Sequence, residues 1–491
     1  MYLSKLQTLI VLLLPLTILW SSDLVAQSDK SVLSDGKVYK VATGETGIYR
    51  MDHDFLEALG INPTTIDPRK IQMFGHGGGT LPRANSAARI EDLKEIAIII
   101  EGESDGSFDA SDYILFYGEG PHDFLIDTVN SEFNVKVNAF ESQNYYFIKI
   151  GSQEGSRMAN LDDAGPAEYI TRHFDDVQHY EVERYNLLHF ANDANLQGSG
   201  QKWLGDLFKT ERTKDFTSDF DFRGLDLNTP IHLHMNFAAR SSTTSRVELN
   251  IGGEQLTKNI SRAIVTNIEE DYAKNGVIDE KVVLSSESPN ITVTYPDIGN
   301  NNEGWLDFIE LDLRRNLQYR GSQLLFTDLR AVDYMITDYR IDDTPTGQII
   351  WDISDKFNAS EISVTRSDNA VSFRHSRIGV PRFACFQLDD VLIPEAVGQI
   401  ENQDLHAIQN ADYLIIYHPE FERATLALAE HRRSFSKLNV QIATVEQVFN
   451  EFSSGKTDPT AIRDFARRMY LKSSRFQFLV LIGDGSFDYR H

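Results

Sequence analysis

The 491-residue sequence predicts a multidomain protein, with β-rich N-terminal regions of β-sandwich or jelly-roll type followed by the truncated start of an α/β parallel-sheet domain. Three observations carry this. Short runs rich in Val, Ile, Thr, Tyr and Phe recur from Lys37 to Leu392, separated by turn residues, as in antiparallel sheets. After Ala411 the pattern becomes apolar run, helical period, apolar run, which is how a parallel sheet with crossover helices reads. The chain then ends at His491, one turn after an apolar run, so the expectation is an N-terminal part of a longer protein.

Residues 1–26 read as a secretory signal: Lys5 gives the positive start, Leu6 to Trp20 the apolar stretch, and Leu24-Val25-Ala26 a small-residue exit before Gln27. Pro15 interrupts the apolar core, which leaves an uncleaved anchor as the lesser alternative. No later stretch has the roughly 20 apolar residues needed to span a bilayer. Residues 27–155 form a β-rich domain with one short helix, in which Asp52 caps, Phe55, Leu56 and Leu59 share a face, and Gly60 stops. Residues 156–200 hold acidic clusters and little periodicity, as a linker or long loops would. Alternating segments such as IHLHMNFAAR and WLDFIELDLRR make 201–320 a β-sandwich, and 321–405 continues in β.

The last unit, 406–491, has three buried strands. Asp412 to Tyr417 is followed by an amphipathic helix over Glu420 to Phe435, with Phe421, Ala424, Leu428, His431 and Phe435 on one stripe. Val440 to Val445 is the second strand, and Phe478 to Ile482 the third. Between them, Asp458 before Pro459 caps a helix whose stripe is Ile462, Phe465, Ala466, Met469 and Tyr470. In such sheets the chemistry sits at the carboxyl ends of the strands. That places His418, Asp484 and Asp488 on a cleft rim, able to orient a substrate or bind a metal, or else to cap the next element.

Forty-seven basic against seventy-three acidic residues give a net charge of −26, which disfavours nucleic acid and anionic lipid as partners. With Cys385 as its one cysteine, the chain forms no internal disulfide. Phe383-Ala384-Cys385-Phe386 reads as a strand with the thiol inside as a small hydrophobe. His76 before Gly77-Gly78-Gly79 offers a catalytic base or a tight turn, and its place in a β region favours the turn. Glu101, Glu103, Asp105, Asp109 and Asp112, with Gly106 at the sixth position, have the spacing of a calcium loop or of an acidic, solvated turn. Trp203, Trp305 and Trp351 read as anchors of β cores, or as platforms for stacking on sugars.

NEFSSGKTDPTAIRDFARRMY (Asn450 to Tyr470) and FLVLIGDGSFDYR (Phe478 to Arg490) resemble the opening of the gingipain-type cysteine peptidase domain, with its caspase-like parallel sheet. The similarity is greatest to the PorU-type sortase of the type IX secretion system. FGHGGGTLPR (Phe74 to Arg83), GESDGSFDASDYILFYGEGP (Gly102 to Pro121) and GWLDFIELDLRRNL (Gly304 to Leu317) resemble segments of its non-catalytic part. The resemblance implies a cysteine peptidase at the outer membrane of a Gram-negative bacterium. Its partners would be secreted cargo with C-terminal signal domains and the outer-membrane components of that system. It also implies a catalytic histidine and cysteine downstream of Ile482, so that none is assigned in this chain and the piece alone is inactive. The rival reading is a non-enzymatic exported β-sandwich module that binds glycan or a protein partner.

Overall fold

The computed structural model describes residues 29–130, 132–187, 202–264, 271–297, 302–377, 379–485 and Tyr489. The signal over residues 1–26 and the rim residue Asp488 lie outside the described residues. Among the described residues no helix is long and apolar enough to cross a membrane.

The N-terminal region is built on a five-stranded antiparallel sheet in the order Glu395–Ile400, Lys37–Thr43, Asn144–Ile150, Ile71–Gly75, Lys94–Glu95. Its outermost strand comes from the far end of the β body. A three-stranded sheet, Gly47–Asp52, Tyr113–Gly118 and Ile99–Glu101, shares a core with it through Val41, Met51, Ile98, Phe116 and Tyr146. The short helix α1 (His53–Leu59) has the ends its sequence predicts. Asp52 accepts from the Phe55 N–H, and Gly60 adopts a left-handed φ of 95° that an L side chain would strain against. A separate hairpin, Asp123–Asp127 with Glu132–Lys136, forms a two-stranded sheet of its own.

The stretch 156–200, expected as linker or loops, instead carries three strands in its described part: Ala159–Leu161, Tyr169–Thr171 and His173–Glu181. The first two pair in parallel with Ser360–Ile362 and Ile336–Asp342, and the third runs antiparallel to Glu303–Asn316. Its acidic residues hide the strand pattern because they are paired across the sheet. Arg314 binds Asp175 at 2.9 Å, and Arg315 binds Asp176 at 2.8 Å.

A sandwich forms, and it takes in His173–Glu181 from outside the expected 201–320. One sheet runs His173–Glu181, Glu303–Asn316, Ile231–Arg240, Lys274–Val282, and the other Thr213–Asp215, Ile291–Thr294, Ser245–Ile251, Glu254–Ile260. Ile231, Leu233, Met235 and Phe237 alternate inward to meet Val247, Leu249 and Ile251 from the opposite sheet. Residues beyond 320 form a second two-sheet body, with Tyr339, Phe373, Phe383 and Cys385 in its core. Trp351 lies in the joint between this body and the N-terminal region, against Ile48, Leu115, Tyr117, Ile353 and Phe386. Trp305 is fully buried beside Leu187 and Leu204. Two of the three tryptophans are therefore core anchors.

The α/β unit has a three-stranded parallel sheet with Tyr413–Tyr417 at its centre, flanked by Val440–Thr444 and Phe478–Ile482. Three helices accompany it: α2 (Glu422–Ser434), α3 (Val445–Phe452) and α4 (Thr460–Lys472). The expected stripe of α2 is rotated. Thr425 and Ala429 are the buried positions and Phe435 is 78% exposed, because small side chains let the helix lie close on Tyr413, Ile415 and Val440. Tyr470 of α4 likewise points outward, and Ala461, Phe465 and Met469 supply its buried face.

Replacing Trp351 with Ala should open a cavity at the joint and cost about 3–5 kcal/mol. Urea denaturation followed by circular dichroism should show a lowered midpoint, and an unchanged midpoint would exclude Trp351 from the joint.

Candidate functional site

The parallel register aligns Tyr417 with both Thr444 and Ile482, so His418 and Gly483 leave the sheet at one level and make its carboxyl rim. The His418 N–H donates to the Ile482 carbonyl at 2.9 Å, and its Nδ1 accepts from the Glu420 N–H at 3.4 Å. Asp484 is exposed and accepts from the Gly485 N–H at 2.8 Å. Thr444 is spent on α3, in a capping box with Gln447. The rim thus brings His418 and Asp484 to the same end of the sheet, but each binds its own local backbone. It has the position of a cleft, with no nucleophile and base in contact among the described residues.

The polar residues of the NEFSSGKTD segment lie away from this rim, in a buried seam between the α/β unit and the N-terminal region. Glu451 is fully buried and accepts from Gln403 Nε2 (2.9 Å), the Leu405 N–H (2.8 Å), the His406 N–H (3.2 Å) and His406 Nδ1 (2.5 Å). His406 Nε2 in turn donates to the Glu91 carbonyl at 2.8 Å, and the ring stacks on Phe452. Burial opposes its charge, yet the hydrogen bond to Glu451 and the nearby Asp92 hold the imidazole above its ordinary pKa.

The following turn continues the seam. Lys456 Nζ donates to the Gly77 carbonyl (3.1 Å) and Asn144 Oδ1 (3.2 Å), and Ser454 Oγ to the Tyr145 carbonyl (2.9 Å). Lys40 reaches back to Asn450 Oδ1 at 3.3 Å and the Gly455 carbonyl at 3.2 Å. Burial pulls both ammonium groups down to about 8. Asp458 does two tasks, accepting from the Thr460 N–H at the start of α4 and from the Leu81 N–H across the seam, each at 2.8 Å. Arg89 pairs with Asp464, and Arg463 donates to the carbonyls of Pro82 and Arg83. None of Glu451, His406, Lys40 or Lys456 was legible as a site, since periodicity marks apolar faces and is silent about buried charge. The capping box at Thr444 and Gln447 and the helical spacing of Val445, Val448, Phe449 and Phe452 were the readable signs of α3.

The other sequence candidates resolve as structural. His76 is buried with neither ring nitrogen hydrogen-bonded among the described residues, and burial together with Lys456 and Lys356 pulls it down to about 3. The glycines after it are required by close approach: a Cβ at Gly78 would stand 2.4 Å from the Gly120 carbonyl. Cys385 is fully buried, and burial pushes its thiol up to about 12, away from the thiolate a nucleophile needs.

The five calcium-loop candidates do not converge. Glu101 is exposed on a strand, Glu103 pairs with Arg157 at 2.8 Å, and Asp105 accepts from the Ser107 N–H. Asp109 is exposed, and Asp112 accepts from the Asp109 N–H at 2.8 Å. Asp105 and Asp112 thus spend oxygens on local N–H groups, as in a self-capped turn, and Glu103 on Arg157. Among the described residues the one group of three such donors within 4.8 Å is His53, Asp54 and Glu57, two of them exposed on α1.

Residues 406–491 match the model of peptidase family C25. No curated protein matches the chain. Among solved structures the chain is similar to dimeric latent PorU from Porphyromonas gingivalis, at 23% identity and a TM-score of 0.78, covering 95% of this chain. It covers 43% of that one, less than half its length. The gingipain-type resemblance is borne out by the family model at the α/β unit and by the fold across the β body. A family 36 carbohydrate-binding module in complex with calcium and xylotriose (14% identity, 22% of this chain and 76% of that, TM-score 0.15) carries no argument. The same holds for the CBM36-1 domain of a multidomain xylanase from the hindgut metagenome of Trinervitermes trinervoides (12%, 28% and 95%, 0.16).

Below pH 6.5 the unfolded chain protonates His76 and the folded chain does not, so this residue removes stability as the pH falls from 6.5 toward 3. The His76→Met variant should therefore show a flatter loss of thermal midpoint than the parent between pH 6.5 and about 4. Equal slopes would place the ring in water.

Proposed function

We propose that this chain is the N-terminal part of an exported gingipain-type cysteine peptidase that serves as the sortase of a type IX secretion system. In this reading it removes C-terminal signal domains from secreted cargo and passes the new carboxyl end to a cell-surface acceptor. It works at the outer membrane of a Gram-negative bacterium, with that system's outer-membrane components as partners.

The observation that carries the proposal is a three-stranded parallel unit matching the C25 model, seated on a body with the PorU fold. The reaction needs a thiolate to attack the scissile carbonyl, a histidine to carry the proton to the leaving amine, and N–H donors for the oxyanion. These groups belong, on this proposal, to elements beyond His491 laid beside Phe478–Ile482. The outer edge supports that placement: Phe478, Leu479 and Leu481 are 45%, 41% and 59% exposed, whereas strands of a parallel sheet are ordinarily covered on both faces.

In cells carrying the complete reading frame, Cys385→Ala should leave cargo processing unchanged, as followed by the size of released cargo on immunoblots. Replacement of a cysteine downstream of His491 should abolish it. Loss of processing in Cys385→Ala at normal protein level would overturn the assignment.

A further inference from the structure

The hairpin Asp123–Asp127 with Glu132–Lys136 forms a two-stranded sheet of its own, lying across the outer face of the sandwich. Alternate N–H groups of its inner strand bind alternate carboxylates of the strand beneath. Phe133 donates to Asp312 Oδ2 at 3.3 Å and Val135 to Glu310 Oε2 at 3.0 Å. Cavities of about 660 Å³ and 350 Å³ lie along it, the first beside Leu125, Lys136 and Asp307, the second beside Glu132, His232 and Asp312. Its apolar residues face outward in part, with Phe124 40% and Leu125 45% exposed.

The seat is crowded with acid. His179 lies between Glu181 (2.9 Å) and Glu310 (3.0 Å). His232 faces Asp279 (2.5 Å), Asp312 (3.5 Å) and the hairpin's own Glu132 (3.6 Å). Lys281 reaches Glu132 at 3.8 Å, Arg314 is engaged by Asp175 and Asp328, and Lys202 by Asp307 at 2.5 Å. His234, on the same strand as His232, packs edge-on to Phe308, and Arg330 and Lys136 border the cavities. The second oxygens of Asp307 and Asp312 are buried with no hydrogen-bond donor among the described residues.

We infer that this hairpin is a proton-sensitive strap, held down on the sandwich in acid and loosened toward neutral pH, and that its lifting joins the two cavities into one groove along Phe308. Burial, with a smaller push from Glu310, raises Asp312 to about 7 against the strap's own Phe133 N–H, which favours the charged carboxylate, and burial raises Asp307 to about 6 against Lys202. Burial alone would lower His179, but Glu181 and Glu310 hold it up to about 9, so its charge stays fixed while the two aspartates titrate. Lifting the strap hydrates both carboxyls and returns them toward the ordinary value of 3.8. The closed state therefore binds more protons, and its advantage is complete below 3.8 and lost as the pH rises through about 6 to 7.

Hydrogen exchange read by mass spectrometry on the intact chain tests this, with rates corrected for the intrinsic effect of pH. Protection of the peptide spanning Glu132–Lys136 should fall at least about tenfold between pH 5 and pH 8. Protection of Asn144–Ile150, which belongs to the neighbouring sheet, should not change. Asp312→Asn should reduce the pH dependence by keeping the side chain neutral. Equal corrected protection at both pH values, or a fall shared by Asn144–Ile150, would overturn the strap. So would an undiminished pH dependence in a folded Asp312→Asn chain. If that variant does not fold, the parent profile decides by itself.

Discussion

The buried carboxylate of Glu451 is the interaction on which the arrangement of this protein depends. A charge with no solvent contact is tolerated only when donors replace its water, and Glu451 has four, all of them from the Gln403–His406 segment that leads into the α/β unit. The residue stands on α3, so the contact fixes that helix against the connecting segment. His406 extends the network to the Glu91 carbonyl of the N-terminal region, and Arg468 of α4 donates to the His406 carbonyl at 2.6 Å. One network thereby joins a helix, a linker and a loop more than three hundred residues away.

A seam of this kind explains what the β body contributes to a peptidase-like unit. The loop from Gly77 to Arg89 is held by Lys456, Asp458, Arg463 and Asp464, which belong to the turn before α4 and to its first turns. The N-terminal region therefore sets where α4 lies, and with it the packing beneath the sheet, where Phe465 and Met469 meet Leu414 and Ile416. The carboxyl rim at His418 and Asp484 remains open, with its local hydrogen bonds made to the backbone. Of the two segments that resemble the family, Asn450 to Tyr470 holds the unit to its body and Phe478 to Arg490 supplies Asp484 of the rim.

Much of the secondary structure was legible. Asp52 and Gly60 delimited α1, the alternation in Ile231–Arg240 gave a sandwich strand, and the three apolar runs after Ala411 gave the parallel sheet. Each of these is a local signal: a cap, a two-residue period, a continuous run. What escaped was set by distant partners. Glu395–Ile400 becomes an edge strand of the first sheet by pairing with Lys37–Thr43, and no local pattern announces a partner so far away. His173–Glu181 was hidden because its acids find arginines on the next strand, and of the two readings of the acidic run, calcium loop or solvated turn, the turn fits the contacts that Glu103, Asp105 and Asp112 make with Arg157 and nearby N–H groups. Buried charge in the seam was invisible for the same reason, since its counter-groups are supplied by the fold.

The most direct measurement of the seam's role is thermal pulse proteolysis of the Glu451→Gln chain beside the parent, with the cleaved segments identified by mass spectrometry. The substitution keeps the shape of the side chain and removes its charge. If the N-terminal sheet and the α/β unit are one cooperative piece fastened through Glu451, peptides from Ile71–Gly75 and from Thr460–Lys472 should become cleavable together, at a temperature below that of the parent. Release of the α4 peptides alone, or a transition at the parent's temperature, would contradict the account.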